Sequence, residues 1–234
     1  MTIPSHAMLL AAGLGLRMRP LTLTRPKPLI EVAGRTMLDR ALDHLDRVGC
    51  AHKVVNIHWL GDVVRRHLAD RGDITLSEEA ELLETGGGVV KALPLLGKDP
   101  FYVCNADMIW VDRERSSLAR LAEAFDAARM DILLLLQPTG KAFGYEGKGD
   151  FHLHPDGRLA RRRKDESSPY MYAGVQILHP RIFTDCPPGA FSLNLLYDRA
   201  IAAERLFGIV HDGDWYHIGT PDALLEAEPL LLKS

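Results

Sequence analysis

Over the first 139 residues, short apolar runs alternate with amphipathic segments, and no other feature constrains the fold as tightly. "AMLLAA" (7–12) is continuously apolar and bounded by glycine, which predicts a strand buried on both faces. "TMLDRALDHLDRVG" carries Met37, Leu38, Ala41, Leu42, Leu45 and Val48 at helical spacing, with Thr36 as cap and Gly49 as stop. The runs "HKVVNIH", "ITLS", "FYVCNAD" and "MDILLLLQ" read as further strands. Between them, "WLGDVVRRHLAD", "TGGGVVKALPLL" and "SSLARLAEAFDAA" read as helices. Such alternation predicts βαβ units, with helices on both faces of a parallel sheet.

Near Gly140 the pattern changes. "KGDFHLHPDGRLARRRK" predicts a hairpin turning at "PDG", and "YMYAGVQILH" another strand. A helix ("SLNLLYDRAIAAE"), two short strands ("LFGIVH", "DWYHIG") and a last helix ("PDALLEAEPLLL") complete the chain. No linker rich in Pro, Gly or Ser and no internal repeat interrupts it. The expectation is one domain over 1–234, α/β in class, with a Rossmann-like doubly wound mixed sheet. The half from about 140 to 234 is an α+β portion that completes the sheet and walls a cleft. In open α/β sheets ligands lie beyond the carboxyl ends of the strands, where both the first loop and Asp107 fall.

Composition excludes several classes. A net charge of -3 offers no general attraction to nucleic acid or an anionic membrane. No apolar run approaches the eighteen or more residues of a membrane span. Three widely spaced cysteines without a CxxC, and no signal-peptide pattern, predict reduced thiols in a cytoplasmic protein. Without sustained heptads, a monomer or small homo-oligomer is expected.

The first loop, "GLGLRMRPLTLTRPKPL", carries the chemistry. Gly13 and Gly15 allow a tight turn and close approach of backbone amides to an anion, and Arg17 adds a planar fork of donors suited to phosphate. The loop is neither a dinucleotide fingerprint nor a Walker loop: Met18 stands where the third glycine would be, and GxxxxGK[ST] is absent. Pro20, Pro26 and Pro28 exclude a helix before about residue 35, and prolines on either side of Lys27 aim its side chain.

Taken together, GxGxRMxPLT, KPL, "VNIHWLGD", "LETGGG" and a strand-terminal "NADM" resemble the sugar-phosphate nucleotidylyltransferases. Within that family, "LETGGGVVKALPLLG", "GKGDF", "AGVQILHP" and "WYHIGT" are most similar to the enzymes that uridylylate N-acetylmuramate 1-phosphate in cell-wall (peptidoglycan) recycling. The resemblance implies the nucleotide-diphospho-sugar transferase fold, a nucleotide-binding first half, a sugar-binding second half, and a nucleoside triphosphate (UTP) and sugar 1-phosphate as partners. It implies that Arg17 and Lys27 balance the charge of the departing pyrophosphate, with Ala11, Ala12, Gly13 and Gly15 around the triphosphate. Asp107 would hold Mg²⁺, or Mn²⁺ in its place. Thr85, Gly86 and Gly87 would lie near the base, and Glu79 or Glu84 would accept from a ring N–H or shape the turn. A glycine-opened helix fits the same residues. Asn105 would bond the ribose or support the loop, and Gly149, Asp150, Ala173, Gly174 and Asn194 would face the sugar.

One position departs from the family. Its second metal ligand is an aspartate in W-x-D-x-G-T, whereas this chain reads "WYHIGT" with His217. Imidazole suits transition metals better than Mg²⁺. Three readings follow: His217 ligates Mn²⁺ or acts through water, Asp107 holds Mg²⁺ with phosphates and water, or turnover is lost. The second is favoured because Lys27 and Arg17 are present. Alternative functions are guanylyl or thymidylyl transfer to a hexose or heptose 1-phosphate, or a nucleotide-sugar-binding regulatory protein.

Overall fold

The computed structural model describes residues 3–232. In chain order its first part contains β1 (His6–Leu10), β2 (Glu31–Val32), β3 (Arg35–Thr36), α1 (Met37–Arg47), β4 (His52–Ile57) and α2 (Gly61–His67). Next come β5 (Ile74–Glu78), α3 (Glu84–Leu96), β6 (Phe101–Asn105), β7 (Met108–Val111), α4 (Ser117–Ala124) and β8 (Ile132–Pro138). The remainder contains β9 (Ala142–Phe143), β10 (Phe151–Leu153), β11 (Leu159–Arg161) and β12 (Tyr170–Leu178). It ends with α5 (Asn194–Ala202), β13 (Leu206–Val210), β14 (Asp214–His217) and α6 (Pro221–Leu231).

β1 lies between β4 and β6, with β5 beyond β4, and these pairings are all parallel. This is the βαβ core that the apolar alternation implies. β12 then runs antiparallel between β6 and β8, making the sheet mixed, and β13 extends it parallel to β8. The β10–β11 hairpin joins at the start of β12. Helices cover both faces. α1 buries Leu38, Ala41, Leu42 and Leu45 against one face, each such leucine contributing about 1.5–3 kcal/mol. The Thr36 hydroxyl caps α1 by accepting from the Asp39 amide at 3.0 Å. α3 and α5 pack on the other face.

A feature missed in the sequence is the small second sheet β7–β14–β9. Its register sets His217 opposite Met108, one residue beyond Asp107. The first loop is ordered under this sheet. Met18, Ile30, Val32 and Met37 bury against Ile109, Tyr216, Ile218 and α6, and three short helical turns replace the helix that the prolines forbid.

Behind the second sheet, buried His211 accepts from the Ser117 hydroxyl at Nδ1 (2.9 Å) and donates from Nε2 to the Asp214 carbonyl (3.2 Å). A neutral ring satisfies both contacts. Burial lowers the His211 pKa; the Asp214 carbonyl, Asp112 and Asp212 oppose the shift, and Arg120 adds to it. The unfolded chain therefore binds this proton more readily, so stability is present above the ordinary histidine pKa and is lost as pH falls below it. The melting temperature should drop between about pH 7.5 and about 5.5, and His211→Gln should flatten that drop. An unchanged slope in the variant would assign the acid sensitivity elsewhere.

Candidate active site

A cleft of about 650 Å³ opens at the carboxyl ends of β1 and β6. One wall is the first loop. The amides of Ala12, Gly13, Leu14 and Gly15 donate to nothing within the described residues, whereas the Gly15 carbonyl accepts twice, from Met18 N (2.9 Å) and Thr22 Oγ1 (2.8 Å). Gly15 is left-handed (φ +60°), and a Cβ there would meet Thr22 Cγ2 at 2.9 Å and Lys27 Cβ at 3.0 Å. A row of unpaired N–H groups at the start of a helical turn is an anion site in waiting.

Lys27 is only 7% exposed, and its Nζ donates to Asp107 Oδ2 at 2.7 Å. The ammonium thus sits at the cleft against a carboxylate that is itself about one-third exposed. The backbone beneath is fixed by Asn56, a polar residue within the apolar run of β4. Its Oδ1 accepts from Ala11 N (2.6 Å), and its Nδ2 donates to Glu79 Oε1 (2.7 Å). Asn56 lines the cleft yet was passed over in the sequence. The available signal was a polar side chain interrupting "KVVNI", which needs a buried partner.

Among the described residues Arg17 has one side-chain partner, His217, at 3.3 Å from Nη2 to Nε2. Nδ1 of His217 faces the Met108 thioether at 3.4 Å, and the ring stacks near Trp215. Burial lowers the His217 pKa, as do nearby Lys27 and Arg17, while Asp107 pulls the other way. Asp212 pairs with Arg120 at 2.9 Å and Asp214 lies exposed at the start of β14, so neither replaces a carboxylate at 217.

Arg17, Lys27, Asp107, Asn105, Thr85, His217 and residues 11–13 and 15 all line one cleft. Other expected residues serve elsewhere. The Gly86 and Gly87 amides both donate to the Phe191 carbonyl (2.8 and 3.2 Å), so they are not free to meet a base. Glu79 is buried, its Oε2 accepts from Leu83 N at 3.0 Å, and it shapes the turn ahead of α3. The Ala11 amide is likewise taken by Asn56. Thr85 Oγ1 accepts from Leu193 N at 2.9 Å, which brings Ser192 of the second half into the cleft wall.

The residues assigned to the sugar, Gly149, Asp150, Ala173, Gly174 and Asn194, do not line this cleft. Asp150 Oδ2 accepts from Tyr172 N, Asn194 Oδ1 accepts from Arg161, and Gly149 turns against the Ser168 carbonyl at φ +77°. Gly174 (φ +83°) lets β12 pass close to Asn105 and Met108. Of the "RRRK" run, Arg161 pairs with Asp198 at 2.7 Å and Arg162 donates to backbone carbonyls.

The fit of a divalent metal is partial. Among the described residues no three His, Cys, Asp or Glu side chains form a metal cluster. Asp107 supplies one hard oxygen donor beside the free amides. This fits an ion held by one carboxylate with phosphate oxygens and water, the usual manner of Mg²⁺.

The mixed sheet and its cleft share the nucleotide-diphospho-sugar transferase fold of solved structures. The chain belongs to the MobA-like NTP transferase domain family, whose model matches residues 7–184. It is 42% identical to an N-acetylmuramate alpha-1-phosphate uridylyltransferase of Caulobacter vibrioides, covering 99% of this chain and 98% of that protein. It is 35% identical to a Neisseria meningitidis protein of the same name, covering 96% and 97% respectively. Among solved structures, the inositol-1-phosphate CTP transferase from T. maritima superposes with a TM-score of 0.79 at 18% identity, covering 99% of this chain and 96% of that one. At that identity the likeness is one of fold.

Proposed function

We propose that this chain transfers a uridylyl group from UTP to N-acetylmuramate 1-phosphate, its two halves working as one domain. The observation that carries this reading is the convergence of unpaired first-loop amides, Arg17, Lys27 and Asp107 on one cleft. The substrate pair is supported by the relatives that match along nearly the full length of the chain.

In the reaction a phosphate oxygen of the sugar 1-phosphate attacks the α-phosphorus in line. The bond from the α-phosphorus to the α–β bridging oxygen breaks, and pyrophosphate leaves with that electron pair. The nucleophile is already an anion, so no general base is needed. Catalysis rests on positioning and electrostatics. The amides of residues 12–15 and the Arg17 guanidinium would hold the polyphosphate, and Lys27 would stabilise the charge that grows at the α-phosphate. Mg²⁺, held by Asp107 and the phosphates, would neutralise phosphate charge. Thr85, Glu84 and Leu82 line the cleft where the base would lie, and Ser192 closes it from the second half.

A pyrophosphate-release assay tests the reading with UTP, GTP and TTP against N-acetylmuramate, hexose and heptose 1-phosphates. Turnover should be fastest, by about tenfold or more, with UTP and N-acetylmuramate 1-phosphate. Turnover with GTP and none with UTP would overturn the base assignment. Nucleotide binding without turnover on any pair would leave a regulatory binding protein.

A further inference from the structure

We infer that His217 is a neutral positioning residue for Arg17 and does not ligate metal. A guanidinium only donates, so at 3.3 Å from Arg17 Nη2 the His217 Nε2 must be the acceptor. The ring proton then sits on Nδ1, facing the Met108 sulfur at 3.4 Å. Neither nitrogen offers a free lone pair, and a metal ligand needs one.

The ring is held where it is. Its plane lies 9° from that of Trp215, with centroids 6.2 Å apart. At the Nε2 edge of the ring lies Gly219, where an added Cβ would fall 2.7 Å from His217 Nε2 and 3.4 Å from Arg17 Nη1. A side chain there would press on the imidazole at the point where it meets the guanidinium. The His217 carbonyl is packed against Gly144, where a Cβ would approach it to 2.4 Å.

The chemistry explains why a neutral acceptor suits this place. Arg17 is exposed and has no carboxylate partner among the described residues. His217 orients it through a single N–H, leaving the remaining donors and the full positive charge for phosphate oxygens. A carboxylate at 217 would orient Arg17 equally well but would cancel much of that charge. His217 therefore acts on the nucleotide through Arg17, and Asp107 is the carboxylate beside Lys27 left to hold a cation. This inference rests on the reading that Arg17 holds the triphosphate.

The test measures binding without turnover. UTP is titrated calorimetrically in EDTA against wild type, His217→Ala, His217→Gln, Arg17→Ala and the double variant Arg17→Ala/His217→Ala. Mn²⁺ is then titrated into each UTP complex by electron paramagnetic resonance. His217→Ala should weaken UTP about tenfold, and His217→Gln, whose amide oxygen can accept, should stay within about threefold of wild type. In the Arg17→Ala background, removal of His217 should change UTP affinity by less than about twofold. Mn²⁺ affinity should be the same with and without His217. Thermal melts confirm that each variant is folded, and the glutamine variant carries the test if the alanine variant is not. A full His217→Ala effect persisting without Arg17, or a tenfold loss of Mn²⁺ affinity in either His217 variant, overturns the inference. If Arg17→Ala leaves UTP affinity intact, the triphosphate reading falls with it. If Arg17→Ala weakens UTP and no coupling is seen, the inference alone falls.

Discussion

Lys27→Ala should lower the turnover number about 10²- to 10³-fold, equivalent to roughly 3–4 kcal/mol of transition-state stabilisation, with a much smaller change in the KM for UTP. The ammonium is buried against one carboxylate and fixed by the prolines on either side, so it needs no reorganisation as charge develops at the α-phosphate. An interaction that strengthens in the transition state appears in kcat more than in KM. Folding should be nearly unaffected. Asp107 is about one-third exposed, and water can solvate it once Lys27 is gone. The reverse substitution differs: Asp107→Ala strands an almost fully buried ammonium without its partner, and should lower the melting temperature more than Lys27→Ala does. Lys27→Arg keeps the charge but places a wide planar group in a tight position, and should recover only part of the loss. Steady-state kinetics and melts on the three variants decide the matter. A Lys27→Ala enzyme within about threefold of wild type, or one whose melting temperature collapses in step with its activity, would remove Lys27 from the chemistry.

How much of this was readable in the chain depends on the range of the interactions. The βαβ core was legible because an apolar run such as "AMLLAA" and a helical stripe such as Met37 to Leu45 are each set by their own periodicity. Gly15, Arg17 and Lys27 suggested phosphate chemistry by residue type and spacing, whereas the metal role of Asp107 came only from the family resemblance. The second sheet was not. β7 follows β6 after two residues, and its partner β14 is about a hundred residues away, so no local pattern marks the pair. The status of His217 was hidden for the same reason: its two nitrogens are claimed by Arg17 and Met108, both distant in sequence. The part played by Asn56 likewise depends on distant partners, Ala11 and Glu79.

The glycines test this distinction, since "GLG" and "TGGG" look alike as phosphate or base loops but sit in opposite surroundings. At Gly87 an added Cβ would lie 2.3 Å from the Gly189 carbonyl oxygen, a backbone atom that cannot swing aside as a side chain can. The Gly86 and Gly87 amides anchor the Phe191 carbonyl from the same segment, so relief of the clash would pull those bonds apart. Alanine is favoured over glycine within a helix by about 1 kcal/mol. Overpacking against backbone costs about 1–3 kcal/mol, and each lost hydrogen bond about 0.5–1.5 more. The clash wins, and Gly87→Ala should destabilise the protein by about 2–4 kcal/mol, which for a chain of this size lowers the melting temperature by roughly 5–15 °C. Gly13 is the counterpart. Nothing lies within 4 Å of a Cβ added there, and its backbone is not left-handed, so Gly13→Ala should leave the melting temperature within about 2 °C of wild type. Yet Gly13 lines the cleft beside unpaired amides, where a methyl group would hold a phosphate off the backbone; UTP affinity should therefore fall about tenfold. Calorimetric melts and UTP titrations on both variants separate the two roles. If Gly87→Ala melted like wild type, or Gly13→Ala bound UTP unchanged, the glycines of α3 would not be the joint between the two halves, or those of the first loop would not be the anion cradle.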